Sequence, residues 1–542
     1  MRSNAIYSRK SKVLIFLGVV LVLGAALRLY GLTAKPLWYD EIGFFAHALK
    51  GFDFMLQSVA NYKIPYIILL KGWIAVFGMG VFATRLLSVM LGVASIFLTY
   101  QLGKRLFISG PALIAAFLLS ISCFDIYHSQ QVKHYGLLTV IVLFSFILFL
   151  DFFEKKKPGL LIVNLLLNVL AVCTHPFGIS AVLIQVFYVI FMRRSIRIGQ
   201  LKQWLYFQLP LVLFLGLWSW VLFTGRSNFK AILWWSRPPA LRGLIDTFST
   251  FIYGGPAYGL SSLENLSFPP GVANALMLIF GFSFARGIFI IMNQKDNSRQ
   301  KFVVIWLTLP IVLSLVFSYL FFPVYFIKNF LFFLPAFFLI VARGVYYKRK
   351  LIPGVILVAV LLLNIVPLRT MYNAKVNVDW EKAVHFVKAH ELKADDIFII
   401  ATTKEVVSFM YYFADAEQAA LKDILIFGKF EANYWQKSFQ YRDHLIITLG
   451  SERNAGKDGF RDPGPGLNLK YSLDYIMSDF DKEIMRHEDI IRSNRQIWIL
   501  ISQWAGEAYG SRVFIEKLNM YYKLTFAKEL GGINVYRLNP RE

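Results

Sequence analysis

The chain has 542 residues, of which 57% are hydrophobic, with 51 Phe, 27 Tyr and 12 Trp and a formal net charge of +24. Length alone permits two to four domains, so the placement of charge decides the class. The basic residues sit between apolar runs instead of gathering on one face, which argues against a nucleic-acid partner.

From Val13 to about Pro367 the sequence is a series of apolar runs of roughly 15 to 23 residues, the length that crosses a bilayer as helix. Open alternatives would leave backbone polar groups unpaired in hydrocarbon. The expected fold is therefore a mainly α polytopic membrane protein of about eleven spans. They lie near 13–30, 84–102, 110–124, 135–153, 159–174, 177–192, 204–223, 271–292, 302–320, 330–346 and 351–367. The first run, "VLIFLGVVLVLGAALRLYGL", is longer than a signal-peptide core and lacks a small-residue cleavage site, so it is expected to stay as a span.

Basic clusters at Arg2 to Lys12, Lys104–Arg105, Lys155–Lys157, Arg193 to Lys202, Lys295 to Lys301 and Lys348–Lys350 fall on one side when spans are counted alternately. By the positive-inside rule the amino terminus is cytoplasmic. An odd number of spans then puts everything after Pro367 outside. The expectation is a cell-membrane protein with a transmembrane domain, 1–367, and an extracytoplasmic domain, 368–542. Cys123 and Cys173 give no disulfide framework or metal spacing and read as small buried hydrophobes.

Between the first two spans, "LWYDEIGFFAHAL" places Asp40 and Glu41 in the first turn of a helix, where the backbone dipoles favour carboxylates. Capping that helix is the structural alternative for the pair. "PYIILLKGWIAVFG" is short for a span, carries Lys71 and suits a helix lying on the membrane surface. Further on, Trp234 and Trp235 in "LWWSRPPALRGL" suit headgroup depth.

The polar residues collect at the outer ends of spans. "CFDIYHSQQVKHYGLL" carries Asp125, His128, Gln130, Gln131, Lys133, His134 and Tyr135; "CTHPFG" carries His175; "FFPVYFIKNF" carries Lys328 and Asn329. With Asp40, Glu41 and Lys63 they face one compartment. Ionisable groups kept at a membrane are functional candidates because they are costly there. A lone rim lysine is otherwise a snorkelling anchor, and Asp125 is otherwise the cap of a short turn.

Cations at headgroup depth suit a lipid phosphate, and a nearby carboxylate suits deprotonation of a hydroxyl. Together they point to transfer of a group from a lipid phosphate to an alcohol. A phosphate is already a competent leaving group, so one base and a cationic clamp suffice, unlike glycoside hydrolysis with its two carboxylates.

The tail alternates "DIFIIAT", "KEVVSFMYYFA", "HLIITLG", "DFDKEIMRHEDIIRS", "QIWILIS" and "INVYRL", an α/β layered pattern. It has no glycine-rich phosphate loop after a strand. "AGKDGFRDPGPG" reads as a loop.

These motifs resemble the GT-C superfamily of membrane glycosyltransferases, in the branch of protein O-mannosyltransferases and aminoarabinose transferases. "LWYDEIGFFAHAL" is similar to its first-loop acidic motif, "NYKIPYIILLKGW" to its Lys-Pro surface helix, and "FATRLLSVMLG", with Arg85 and Ser88, to the start of its second span. "YHSQQVKHYGLL" is similar to a Ser-Gln-x-x-Arg-x-Tyr motif, "THPFG" to a Thr-His-Tyr-Phe-like one, and "VDWEKAVHFVKAH" to the opening of its outer domain. The order of the motifs, over about two thirds of the chain, carries the resemblance.

The resemblance implies a polyprenyl-phosphate-linked sugar as donor, a lipid, glycan or protein hydroxyl as acceptor, and inversion at the anomeric carbon. Asp40 or Glu41 would be the general base, with Asp40 favoured. Lys63, Lys133 and Lys328 would contact the donor phosphate. Asp125, His128, Gln131, His134, Tyr135, His175 and Arg85 would support the substrates. Lys133 stands where the family often has Arg, Lys328 and Asn329 replace an Arg-Tyr pair, and Gln131 occupies a position often acidic. Some relatives use a divalent metal, for which this sequence offers no clean ligand set. A transporter or flippase of a lipid-linked sugar is the alternative from another class. Against it stand the rim placement of the polar groups and the lack of a visible repeat.

Overall fold

The computed structural model describes residues 2–49, 63–193, 196–224, 242–255, 268–294, 298–321, 323–347, 351–376, 378–390, 392–393, 395–401, 406–414, 438–441, 443–449, 495–502, 518 and 522–541. The Trp234–Trp235 segment, the "DFDKEIMRHEDIIRS" helix and the "AGKDGFRDPGPG" loop lie outside these. Internal contacts divide the chain into two units, one formed by Met1–Ala34 with Val59–Ala374, the other by Lys35–Ser58 with Lys375–Glu542.

The first unit is a helical membrane assembly. Seven of its described helices are long and apolar enough to cross a bilayer, and a bent pair brings the number to eight. Gly159–Thr174 and Ile179–Met192 are shorter apolar helices, and Ile198–Thr224 runs 27 residues around Pro210. Each of the eleven expected runs is helical, and Ile64–Phe77 is the surface-helix segment of the first loop. Its Tyr66, Ile67, Leu70 and Ile74 are buried, while Ile68, Leu69, Val76 and Phe77 are exposed. Exposed apolar side chains are the rule on helices that face lipid, where Leu and Phe lose nothing by exposure.

Two expected boundaries are corrected. The run at 110–124 is not one straight span: Ser109–Ser120 ends, and Cys123–Ser129 starts at 61° to it. Ser122 opens the second piece, its hydroxyl accepting from the Asp125 amide at 3.4 Å. The last span does not stop at Pro367 but continues to Asn373. Proline inside a membrane helix is tolerated where neighbours satisfy the freed backbone.

Small residues let helices approach closely. A Cβ on Gly344 would strike the Ser283 carbonyl, and one on Gly287 the Ile340 carbonyl, so Pro270–Asn293 and Leu334–Val345 pack backbone to backbone. A buried amide cluster joins three other helices. The Ser145 hydroxyl donates to Asn168 Oδ1 at 2.7 Å, and the Gln185 and Asn164 amides donate to Ser145 Oγ at 3.0 and 2.9 Å. Every member is paired, as polar groups in hydrocarbon must be.

The second unit holds a six-stranded mixed sheet. Its strands are β1 (Ile397–Ala401), β2 (Ser438–Tyr441), β3 (His444–Leu449), β4 (Ile497–Ser502), β5 (Tyr522–Leu530) and β6 (Ile533–Pro540), in the order β2-β3-β1-β4-β6-β5. Strand β1 lies parallel to both β3 and β4, with Ile399 opposite Ile447 and Ile499. Its Ile397 to Ile400 are buried on both faces, as the unbroken apolar run of a central parallel strand requires. The β5–β6 hairpin turns on Gly531 and Gly532, with φ of 55° and 75°, values that glycine adopts without strain. The helix Trp380–Lys388 is capped by Asp379, which accepts from the Lys382 amide at 2.9 Å, and Asp379 donates its own amide to the Gly531 carbonyl.

Candidate active site

In the first unit, four stretches far apart in sequence deliver side chains to one place. Lys63 is the residue before the Ile64–Phe77 helix, which proline opens. Lys133 and His134 occupy the tight turn between Cys123–Ser129 and Tyr135–Lys155, with His134 at the start of the latter. His175 ends Gly159–Thr174 and begins a 3-10 turn at Pro176–Gly178. A Cβ on Gly178 would collide with the Ala171 carbonyl, so glycine is needed for that turn to fold back. Lys328 lies in a second 3-10 stretch, Ile327–Phe333.

The His134 and His175 rings stack with centroids 5.1 Å apart and planes 15° apart. Tyr135 flanks both, at 4.4 Å from His134 and 6.1 Å from His175, and Lys133 Nζ stands 6.0 Å from the Tyr135 ring. His175 Nδ1 accepts from the Phe177 amide at 3.1 Å, which leaves the proton of the neutral ring on Nε2.

Both imidazoles are held neutral. Burial pushes His175 down to about 3, and the charges of Lys63 and Lys328 push the same way. Burial also takes His134 well below the ordinary histidine range, assisted by His175, Lys63, Lys133 and Lys328. All three lysines thus act on one ring pair. The result is a cluster of positive charge around neutral aromatic rings.

The short helix that leads into the Lys133–His134 turn carries a buried clasp. Arg28 is fully buried and its guanidinium meets the Asp125 carboxylate. It also donates to Ser129 Oγ at 3.2 Å and to the carbonyls of Ser120 and Leu119 at 3.0 and 3.2 Å. Those carbonyls lie in the last turn of the first half of the bent pair, where the Leu119 carbonyl also accepts from the Ser122 amide at 3.3 Å and the helix supplies fewer donors. Arg28 therefore stabilises the bend that aims the Lys133–His134 turn. Gly92 makes room: a Cβ there would strike Ser129 and lie 2.9 Å from Arg28 Nε. Gln130 ties the turn to the first span by donating to the carbonyls of Arg28 at 3.0 Å and Tyr30 at 2.8 Å.

The remaining expected residues divide by surroundings. His128 is buried among Phe124, Tyr127 and Tyr135, with centroids 4.8 to 5.3 Å away. Gln131 is buried beside it in the chain. Arg85 is buried and donates to the Leu32 carbonyl at 2.8 Å, which fixes the exit of the first span. Asp125 is committed to Arg28. Among the described residues no three of His, Cys, Asp and Glu stand together as a metal-ligand set.

The acidic pair belongs to the second unit. Helix Tyr39–Leu49 carries Asp40 and Glu41 in its first turn. Glu41 is buried, and its Oε2 accepts a long hydrogen bond of 3.5 Å from the Trp38 amide, the reach-back of a capping box. Asp40 is half-buried. The Tyr412 hydroxyl accepts from the Leu37 amide at 2.7 Å and donates to the Leu37 carbonyl at 3.2 Å. Burial raises the Tyr412 pKa, as do Glu381, Tyr411 and Glu41, so the phenol keeps its proton. Phe45 stacks on Tyr411 with centroids 6.0 Å apart.

Sequence reasoning missed Arg28 and Tyr412. Arg28 had a signal, a lone cation near the end of an otherwise apolar run. Tyr412, 375 residues from Leu37, had none.

A family model described as dolichyl-phosphate-mannose-protein mannosyltransferase matches residues 64–220. The chain is similar to ArnT from Cupriavidus metallidurans bound to undecaprenyl phosphate, with a TM-score of 0.54 and 11% identity over 97% of this chain and 98% of that one. It is similar to the archaeal oligosaccharyltransferase AglB from Archaeoglobus fulgidus, solved with an inhibitory peptide and a dolichol-phosphate, with a TM-score of 0.52 and 11% identity over 97% of this chain and 74% of that one. No curated protein sequence matches. The chain has the membrane fold of the GT-C superfamily glycosyltransferases.

Proposed function

We propose that this GT-C-fold chain is a glycosyltransferase that moves a monosaccharide from a polyprenyl-phosphate donor to an acceptor hydroxyl. The observation that carries the reading is the approach of Lys63, Lys133 and Lys328 to the neutral His134–His175 pair. Three ammonium groups beside two uncharged rings suit a lipid phosphate, whose charge they offset in a poorly hydrated setting. The bound undecaprenyl phosphate of ArnT and the dolichol-phosphate of AglB support this choice of ligand.

In the proposed reaction Asp40 takes the proton of the acceptor hydroxyl. The resulting oxygen attacks the anomeric carbon from the face opposite the phosphate, and the carbon–oxygen bond to phosphate breaks. Its electron pair leaves on the polyprenyl phosphate, so the sugar is inverted. The lysines stabilise the charge that grows on that leaving group, the kind of interaction that lowers a barrier most when it strengthens in the transition state. Glu41, occupied by the helix cap, orients Asp40 in this scheme. Positive-inside counting places the chemistry at the outer face of the cell membrane, with the amino terminus cytoplasmic.

The class of acceptor stays as lipid, glycan or protein hydroxyl. The test is transfer of radiolabelled sugar from synthetic polyprenyl-phosphate donors by purified protein. Label carried across a liposome bilayer without transfer would favour the flippase alternative.

A further inference from the structure

Four arginines at the basic ends of the spans line one cavity. A cavity of about 860 Å³ is lined by Arg105, Arg286, Arg299, Arg343, Gln300 and Tyr347, among others, within the roughly 300–1,000 Å³ typical of small-ligand pockets. Two of the arginines are already neutralised. Arg105 Nε and Nη2 meet Asp151 at 2.8 and 3.2 Å, and Arg299 meets Glu154 at 3.2 Å.

The other two are not. Arg286 is held in place by the Gly344 carbonyl and by the face of Tyr347, its guanidinium carbon 3.6 Å from the ring centroid. Arg343 is close enough to Arg286 to be repelled by it. Among the described residues neither has a carboxylate partner. Two like charges lining one cavity at a membrane boundary are costly unless an anion joins them.

A second observation is independent of the charge. Gln300 is 7% exposed, lines the same cavity, and its Oε1 has no hydrogen-bond partner among the described residues. A buried amide oxygen without a donor forfeits the hydrogen bonds it had to water. The arginines call for an acceptor and Gln300 for a donor. A phosphodiester that carries a hydroxylated headgroup supplies both. The half-exposed Ile352 (40%) and exposed Ile108 (56%) at the same cavity suit the glycerol and acyl part of a lipid.

We propose that this cavity binds the headgroup of an anionic, hydroxyl-bearing phospholipid, with Arg286 and Arg343 on the phosphate and Gln300 on a headgroup hydroxyl. Basic pockets between spans are suited to such headgroups. A free phosphate or phosphate ester presents the same phosphoryl chemistry, so the test separates the two sources.

The full chain is purified in detergent and offered phosphatidylglycerol, phosphatidylmethanol, phosphatidylcholine or inorganic phosphate, with retention read by native mass spectrometry. Wild type is expected to retain phosphatidylglycerol over phosphatidylcholine, and Arg343→Gln and Arg286→Gln each to lower that preference about fivefold. Gln300→Leu is expected to lower phosphatidylglycerol to the level of phosphatidylmethanol, which has the phosphate but no hydroxyl. Arg343→Gln removes no described protein contact, so it reads binding even where Arg286→Gln misfolds. Equal retention of charged and zwitterionic lipids, or an unchanged preference in Arg343→Gln, would overturn the proposal. So would displacement of phosphatidylglycerol by equimolar inorganic phosphate, which assigns the arginines to a soluble anion.

Discussion

The His134 and His175 imidazoles lie one over the other, 5.1 Å between centroids, although they belong to different helix ends far apart in the chain. Both stay neutral because burial and the neighbouring lysines oppose a further positive charge. The sign of the consequence follows. In the unfolded chain a histidine takes a proton near pH 6.5, whereas folded His175 does so only at about 3. Below about 6.5 the unfolded state binds more protons, so stability falls with acid, at up to about 1.4 kcal/mol per pH unit for each ring. Thermal unfolding in detergent should therefore show a melting temperature that drops between pH 7 and 5. His175→Gln should flatten the slope. An identical slope in that variant would remove the histidine from the explanation.

Arg28 and Asp125 form the second prediction. Removing one partner of a buried pair leaves the other charge unpaired and costs about 3–5 kcal/mol. Arg28→Ala also removes the guanidinium's hydrogen bonds to the Ser120 and Leu119 carbonyls. We expect Arg28→Ala to melt far below wild type. Arg28→Lys should recover only part, because one ammonium does not span the carboxylate and both carbonyls. Full recovery by lysine would show that charge alone matters there.

Gly92→Ala tests the packing behind that clasp. The added methyl meets Ser129 and Arg28 Nε, and overpacking of this kind costs about 1–3 kcal/mol. Gly72→Ala, with open space around its Cβ position, is the matched control. Equal melting temperatures for the two variants would contradict the close fit.

The acidic pair should separate by role. Asp40→Asn is expected to cut transfer about 100-fold or more while leaving the fold intact, the scale of a lost general base. Glu41→Gln is expected to reduce transfer strongly too, through loss of the charge that orients Asp40, with a small loss of stability from the helix cap. A pH–rate profile distinguishes them: Asp40→Asn abolishes the acidic limb, and Glu41→Gln only shifts it. Unimpaired turnover by the double variant would refute the assignment of both.

The spans were legible because apolar length is written locally, run by run, and so was the first-loop helix, whose carboxylates sit in its first turn. The bend after Ser120 was not: its cause is a guanidinium 92 residues away. Strand β2, four residues long, and β5, buried only at its ends, Tyr522 and Leu530, lack the apolar run that revealed β3 and β4. Of the site, the residue types at the span ends were readable, while the stacking of His134 on His175 depends on Gly178, whose missing Cβ lets the chain fold back against Ala171.

Equilibrium binding of undecaprenyl phosphate and dolichol-phosphate to the purified chain shows whether the lysine cluster holds the donor phosphate. Lys63→Ala, Lys133→Ala and Lys328→Ala should each weaken binding about tenfold or more, with melting temperatures near that of wild type. Wild-type affinity in the triple variant would rule the lysines out as the phosphate site.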